Sequence, residues 1–221
     1  MSNRFFNPFI GENYNLGING KRVLVVGASF YCTNVNCPFF SYCTNEKTKD
    51  SSKYDNQCPD YREEQLLLSD EPKHTIENKH RAYKTFSKFI SKIIGDCDYE
   101  EIWSHLAFTN YVQFFVPTKD TYKRYLSKRD FNAFIETLSE LKPHIVISWG
   151  TVILDDMRQH NDYVIDKDLL EQNEYYICHM RNIPEVSHDI TLVSGYHPSA
   201  IKYWYKDLEK LIKYFNLALN E

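Results

Sequence analysis

Glycine is scarce in this chain, seven residues in 221, and proline contributes only eight. That excludes collagen-like and low-complexity architectures. It also gives weight to each glycine, since a chain this sparing of them keeps them for turns and close approaches. A run of 18 apolar residues, the minimum for a membrane-spanning helix, is missing. The opening "MSNRFFNPFIGENYN" has no apolar core of the kind a secretory leader carries. Basic excess is missing too: Lys and Arg number 26 against 30 Asp and Glu, for a net charge of −4 and a pI near 6.1. A sequence-independent nucleic-acid coat depends on Lys and Arg displacing counterions, so that class is excluded. A local basic groove on a mildly acidic body is not. The expectation is a cytoplasmic protein without a membrane partner, its six cysteines in a reducing compartment.

What is present is an ordinary globular composition, 43% hydrophobic and 25% charged, with an unusual 15% of aromatic residues. A length of 221 residues suits one domain spanning 1–221. "VLVV" at 23–26, between Gly20 and Gly27, reads as a strand buried on both faces. Residues 32–75 are polar, cysteine-bearing and aperiodic, a long excursion of the kind that more often serves function than not. Tyr83, Phe86, Phe89, Ile90, Ile93 and Ile94 recur at helical spacing, so a helix is expected from Ile76 to Ile94, stopped by Gly95. "EIWSHLAFTNYVQFF" reads as a strand ending near Phe108, and "RDFNAFIETLSELKP" as a helix closed by Pro143. "HIVISWG" is a second buried strand, "TVILDDMRQ" a short helix, 161–190 a small hairpin and "DITLVSG" the last core strand. A closing helix covers Ile201 to Leu219. Strand and helix alternating in this order predict an α/β fold, a parallel sheet with helices on both faces.

In such a sheet, ligands bind outside the carboxyl ends of the strands. Four ends carry suitable groups: Gly27-Ala28-Ser29-Phe30-Tyr31, Thr109-Asn110-Tyr111, Trp149-Gly150 and Gly195-Tyr196-His197-Pro198-Ser199. Each residue also has a plainer reading. His197 would bond backbone at a strand end, Asn110 would bridge a turn, and Trp149 would be core. The lysines of "IKYWYKDLEKLIKYF" would be a solvated face, with Ile201, Trp204, Leu208, Leu211, Ile212 and Phe215 turned inward.

In order and content these four ends resemble the uracil-DNA glycosylase superfamily: a glycine-led first loop, an Asn, a Trp-Gly and a His-Pro-Ser. "GASFYC" is similar to the first loop of an uncharacterised bacterial branch, Gly-Glu-Ser-His-Tyr-Cys. The resemblance implies a three-layer α/β/α sandwich around a short, mainly parallel sheet. It implies a protein that binds DNA, or a free nucleobase or nucleotide, and hydrolyses the N-glycosidic bond of a uracil-like base flipped out of the stack. Asn110 would read the base edge with its donor and acceptor. Gly27, Ala28 and a backbone N–H near Ser29 or Phe30 would contact the base, Tyr31 would exclude a 5-methyl group, and Phe30, Phe39 or Phe40 would stack on the ring. His197 would stabilise charge growing on the base oxygen. Gly195 and Ser199 would meet backbone phosphate, as would Lys202 and Lys206. Ile201, Tyr203 or Trp204 would wedge into the vacated stack.

One departure bears on activity. Active families place Asp, Glu or Asn in the first loop to direct the attacking water, and here those positions hold Ala28 and Ser29. Loss of a general base typically costs on the order of 10²–10⁴ in rate. Asp60, Glu63 and Glu64 in the excursion are the available substitutes. A non-catalytic nucleobase- or nucleic-acid-binding member is therefore the alternative. A serine esterase using Ser29 and His197 is a third reading, weakened because the position three before the histidine is Ser194 rather than Asp.

Cys32, Cys37, Cys43 and Cys58 are separated by four, five and fourteen residues. Some superfamily members hold an iron–sulfur cluster on four cysteines, with a different spacing. Zinc sites favour Cys-x₂₋₄-Cys pairs, which Cys32 and Cys37 satisfy. Zinc, an iron–sulfur cluster, buried thiols and a loop-bracing disulfide all remain open for this set. Cys97 and Cys178 read as packing residues. No cofactor is needed for the glycosidic chemistry itself.

Overall fold

The computed structural model describes residues 2–45, 57–59, 61, 66–117, 126–150, 156, 177–200 and 208–221. Its strands are β1 (Phe9–Ile10), β2 (Val23–Gly27), β3 (Phe30–Tyr31), β4 (Leu106–Asn110), β5 (Phe115–Val116), β6 (Ile145–Trp149), β7 (Ile177–Met180) and β8 (Ile190–Gly195). Every residue of β2, β4, β6 and β8 is buried, as central parallel strands covered on both faces require. β2 pairs in parallel with β4 on one side and β6 on the other, and β8 extends the sheet in parallel from β6. Antiparallel β1 and β7 flank them, giving the order β1-β4-β2-β6-β8-β7. β3 and β5 form a separate parallel pair. The chain is α/β with a mainly parallel central sheet.

The helices are α1 (Phe40–Cys43), α2 (Glu71–Glu77), α3 (Arg81–Ile94), α4 (Tyr99–Ser104), α5 (Lys128–Leu141) and α6 (Leu208–Asn220). Alternate residues of β2 enter different apolar clusters, the expected consequence of a two-residue side-chain period. Val23 and Val25 join Phe86 and Ile90 of α3, Trp103 of α4 and Phe215 of α6. Leu24 and Val26 join Phe131, Phe134 and Leu138 of α5. Cys178 sits in the second cluster and Cys97 packs against the first, the structural roles expected of them.

Three sequence expectations change. The helix foreseen from Ile76 to Ile94 is two helices, broken at Lys79, whose φ of 52° is left-handed and cannot continue an α-helix. Tyr83 and Thr75 hydroxyls bond across the break at 3.1 Å. Gly95, at φ 98°, ends α3 as anticipated. The strand expected over Glu101–Phe108 starts only at Leu106, because α4 precedes it. Asp98 caps α4, accepting from the Glu101 N–H at 2.8 Å, and Glu100 and Glu101 favour the positive helix start. The hairpin expected within 161–190 is not what β7 forms, since it pairs antiparallel with the core strand β8 itself; residues 161–176 and most of the "TVILDDMRQ" segment lie outside the described residues.

At the amino ends of β6 and β8, Lys21, His144, His179, Arg181, His188 and Thr191 line a cavity of about 340 Å³. The His144 and His188 rings stack at 4.5 Å, and His144 Nδ1 accepts the Arg22 N–H at 3.0 Å. Burial, then the neighbouring His188, Arg22 and Lys21, push the His144 pKa down to about 4. The unfolded chain therefore binds a proton in a window where the folded chain does not. The associated stability is complete above about pH 6.5 and is lost as pH falls toward 4. His144→Asn keeps an acceptor for Arg22 and removes the titration. Its urea midpoint is expected to fall less than the wild type's between pH 7 and pH 5; equal slopes would show that His144 carries no such linkage.

Candidate functional site

The four strand ends form one continuous rim. Gly27 lies opposite Asn110, and Trp149 opposite Gly195. The Tyr111 N–H donates to Gly27 O at 2.9 Å and the Val112 N–H to Ala28 O at 3.0 Å, which ties the first loop to the second. The Gly150 N–H donates to Gly195 O at 2.6 Å and ties the third to the fourth. Gly27 and Gly195 are needed for space. A Cβ on Gly27 would overlap Asn110 Oδ1 and press on the Phe108 ring, and one on Gly195 would meet Leu211 of α6.

Asn110 is 3% exposed, yet its carboxamide has no hydrogen-bond partner among the described residues. The turn-bridging alternative is thus not realised. An amide at a strand end with no bond to the described residues is a candidate ligand contact. Its backbone is held firmly: Gln113 Nε2 donates to Asn110 O at 2.6 Å. The same rim carries three buried polar atoms without partners, Ser29 Oγ, Ser194 Oγ and Trp149 Nε1, and leaving such an atom unpaired costs about 1–3 kcal/mol.

His197 is fixed by its own turn. The Ala200 N–H donates to His197 O at 2.8 Å across Pro198 and Ser199. The Ser199 N–H donates to His197 Nδ1 at 3.2 Å, and the Ser199 hydroxyl lies 2.8 Å from the same nitrogen. A backbone N–H only donates, so this bond assigns the proton of neutral His197 to Nε2. Burial lowers the His197 pKa and favours that neutral form. The ring stands edge-on to Trp149 at 5.5 Å. Trp149 and Phe108 belong to one cluster, and Asn110, two residues beyond Phe108, shares that face. Asn110 and the Trp149 column are separated by one strand, about 10 Å between backbones at ~4.8 Å per strand. Imidazole and carboxamide thus flank one stretch of rim.

The first loop is partly committed elsewhere. The Phe30 ring packs at 4.9 Å on Phe6 and 6.3 Å on Phe115 within the core, which leaves its backbone rather than its face for a ligand. Tyr31 is half-buried and lines a cavity with Phe39, Phe40, Phe115 and Glu71. Ser29 Oγ makes no bond to His197, whose Nδ1 is engaged by Ser199, so the nucleophile–base pair of an esterase is not formed. Asp60, Glu63, Glu64, Ile201, Lys202, Tyr203, Trp204 and Lys206 lie outside the described residues.

Sequence reading missed Glu71 and Gln113. Burial raises the Glu71 carboxyl to about 8, so at neutral pH it is a proton donor rather than a base. Nothing local in "SDEP" or "VQFF" distinguishes either residue. The four cysteines Cys32, Cys37, Cys43 and Cys58 line the same cavity as Tyr31 and Glu71, about 270 Å³ in volume, and all six cysteines of the chain are thiols. Among the described residues, no three His, Cys, Asp or Glu side chains are arranged as they stand to hold an ion. No described helix is long and apolar enough to cross a membrane. No family model and no curated protein matches the chain.

Gly27→Ala tests the close approach. The added methyl should displace the Asn110 carboxamide and destabilise the fold by about 1–3 kcal/mol, the usual range for overpacking. Chemical denaturation measures this, and an unchanged midpoint would mean that Asn110 does not rest on Gly27.

Proposed function

We propose that this chain is a uracil-DNA glycosylase-like protein. In this reading it is a three-layer α/β/α domain that binds a uracil-like base, flipped from DNA or free, and hydrolyses its N-glycosidic bond. The observation that carries the reading is the placement on one rim of the Asn110 carboxamide, at the end of its strand, and an imidazole whose free nitrogen bears the proton. A pyrimidine edge presents one donor and one acceptor in a fixed plane, which a carboxamide matches. As the bond from sugar C1′ to the base nitrogen breaks, its electron pair passes to the base and builds charge on the ring oxygens. The His197 Nε2–H is the donor for that charge. Water then supplies hydroxide to C1′, and its proton ends on the departing base.

Ser199, a phosphate contact by resemblance, acts in this reading first as the brace of His197. Tyr31, half-buried beside the Phe39 and Phe40 rings, would exclude a 5-methyl group in this reading. One observation favours the second reading, a binder without turnover. Ala28 and Ser29 offer no base in the first loop.

Uracil release from a single-stranded oligonucleotide containing deoxyuridine separates these readings. A glycosylase should release the base, and His197→Ala should slow release by about 10²–10³, the typical loss for a donor to developing charge. Asn110→Ala should weaken binding of the same oligonucleotide. Tight binding without release would select the binder, and release insensitive to both substitutions would end the proposal.

A further inference from the structure

The cysteine-lined cavity stands apart from the base chemistry, and its four thiols come from four different places in the chain. Cys32 directly follows β3, and its N–H donates to Val116 O at 3.2 Å. Cys37 lies in the following turn, Cys43 ends α1, and Cys58 arrives after a fourteen-residue interval. All four are half-buried around about 270 Å³, and none is in a disulfide. Cys32, Cys43 and Cys58 also pack against the apolar cluster that contains Trp103.

We infer that Cys32, Cys37, Cys43 and Cys58 form a zinc site, a tetrathiolate centre that braces the loop carrying Tyr31. Zinc takes four thiolates tetrahedrally at about 2.3 Å. Binding one Zn²⁺ releases four thiol protons and leaves a centre of net charge 2−, with no redox step. Mutual repulsion forbids four thiolates there until a cation sits between them, and closure requires the side chains to turn inward from their present arrangement. Fixing Cys32 and Cys37 would hold the segment on which Tyr31 and Phe39 border the cavity.

This inference is independent of the glycosylase reading, because its readout is metal content rather than base release. The full chain, expressed with zinc and iron both supplied, is assayed for metals and acid-labile sulfide; the metal-free chain is then titrated with Co²⁺. One zinc per chain is expected, with the red d–d bands and thiolate charge-transfer absorption of tetrahedral cobalt. Cys43→Ser and Cys58→Ser should each weaken zinc binding by more than about 100-fold, the upper range for residues that merely orient a ligand. Cys97→Ser should leave binding unchanged. If a serine variant fails to fold, the cobalt spectrum of the unsubstituted chain decides. Iron with sulfide in place of zinc, absence of a thiolate–cobalt spectrum, or zinc retained by both serine variants would each overturn the assignment.

Discussion

The Gln113 side chain is the contact on which the arrangement of the rim depends. It is 1% exposed and satisfied on every side. Its Nε2 donates to Asn110 O, its Oε1 accepts the Phe5 and Phe6 N–H groups, and its own backbone N–H donates to Asp130 Oδ1 at 2.8 Å. Asp130, fully buried, in turn closes the capping box of α5 with Ser127. One amide thus joins the amino-terminal segment, the end of β4 and the first turn of the helix on the opposite face. Buried polar networks of this kind act as a unit, because breaking any member leaves several groups unpaired in a medium that penalises them. The scarcity of slack around Asn110 follows: its backbone is fixed from one side by Gln113 while its carboxamide is confined from the other by Gly27.

That confinement explains how a chain with seven glycines uses two of them. Gly27 and Gly195 sit in strands with ordinary extended backbone, so their value is the absent Cβ. At Gly27 the vacated volume receives a polar group and at Gly195 an apolar one, Leu211. The same device seats a carboxamide against one flank of the rim and an apolar side chain against the other.

The parts of this design that are local were legible in the sequence. β2, β6 and β8 announce themselves as short, mainly apolar runs, α5 as a periodic one closed by Pro143, and His197 as a histidine held by a Pro-Ser turn. Parts that depend on long-range contact were not. The break at Lys79 is invisible because the apolar period of α3 runs on through it, and the Tyr83–Thr75 bond that fixes it joins two different helices. α4 was masked by Ile102 and Trp103, whose bulk suits a strand as well as a helix; its signal was the Asp98 cap. β1, β3 and β5 span two residues each, too few for any period to register. Gln113 carries no local mark at all, since its partners lie as far away in sequence as Phe5.

The two central side chains are therefore held in opposite ways, and this has chemical consequences. His197 is oriented by neighbours two and three residues away, so its Nε2–H direction is set within one turn and is largely insulated from the rest of the sheet. Asn110 is placed by Gln113, three residues on, and by Gly27 of the neighbouring strand, so its position depends on the pairing of β2 with β4. A donor for developing charge gains from the first arrangement, because preorganisation removes the cost of reorienting as charge appears. A group that reads the identity of a base gains from the second, since discrimination fails once the carboxamide can rotate to suit another edge. The first loop supplies neither function, with Phe30 spent in the core and Ser29 unpaired. In the proposed reading, the rim is thus better equipped to recognise and polarise a bound base than to activate the water that would complete its removal.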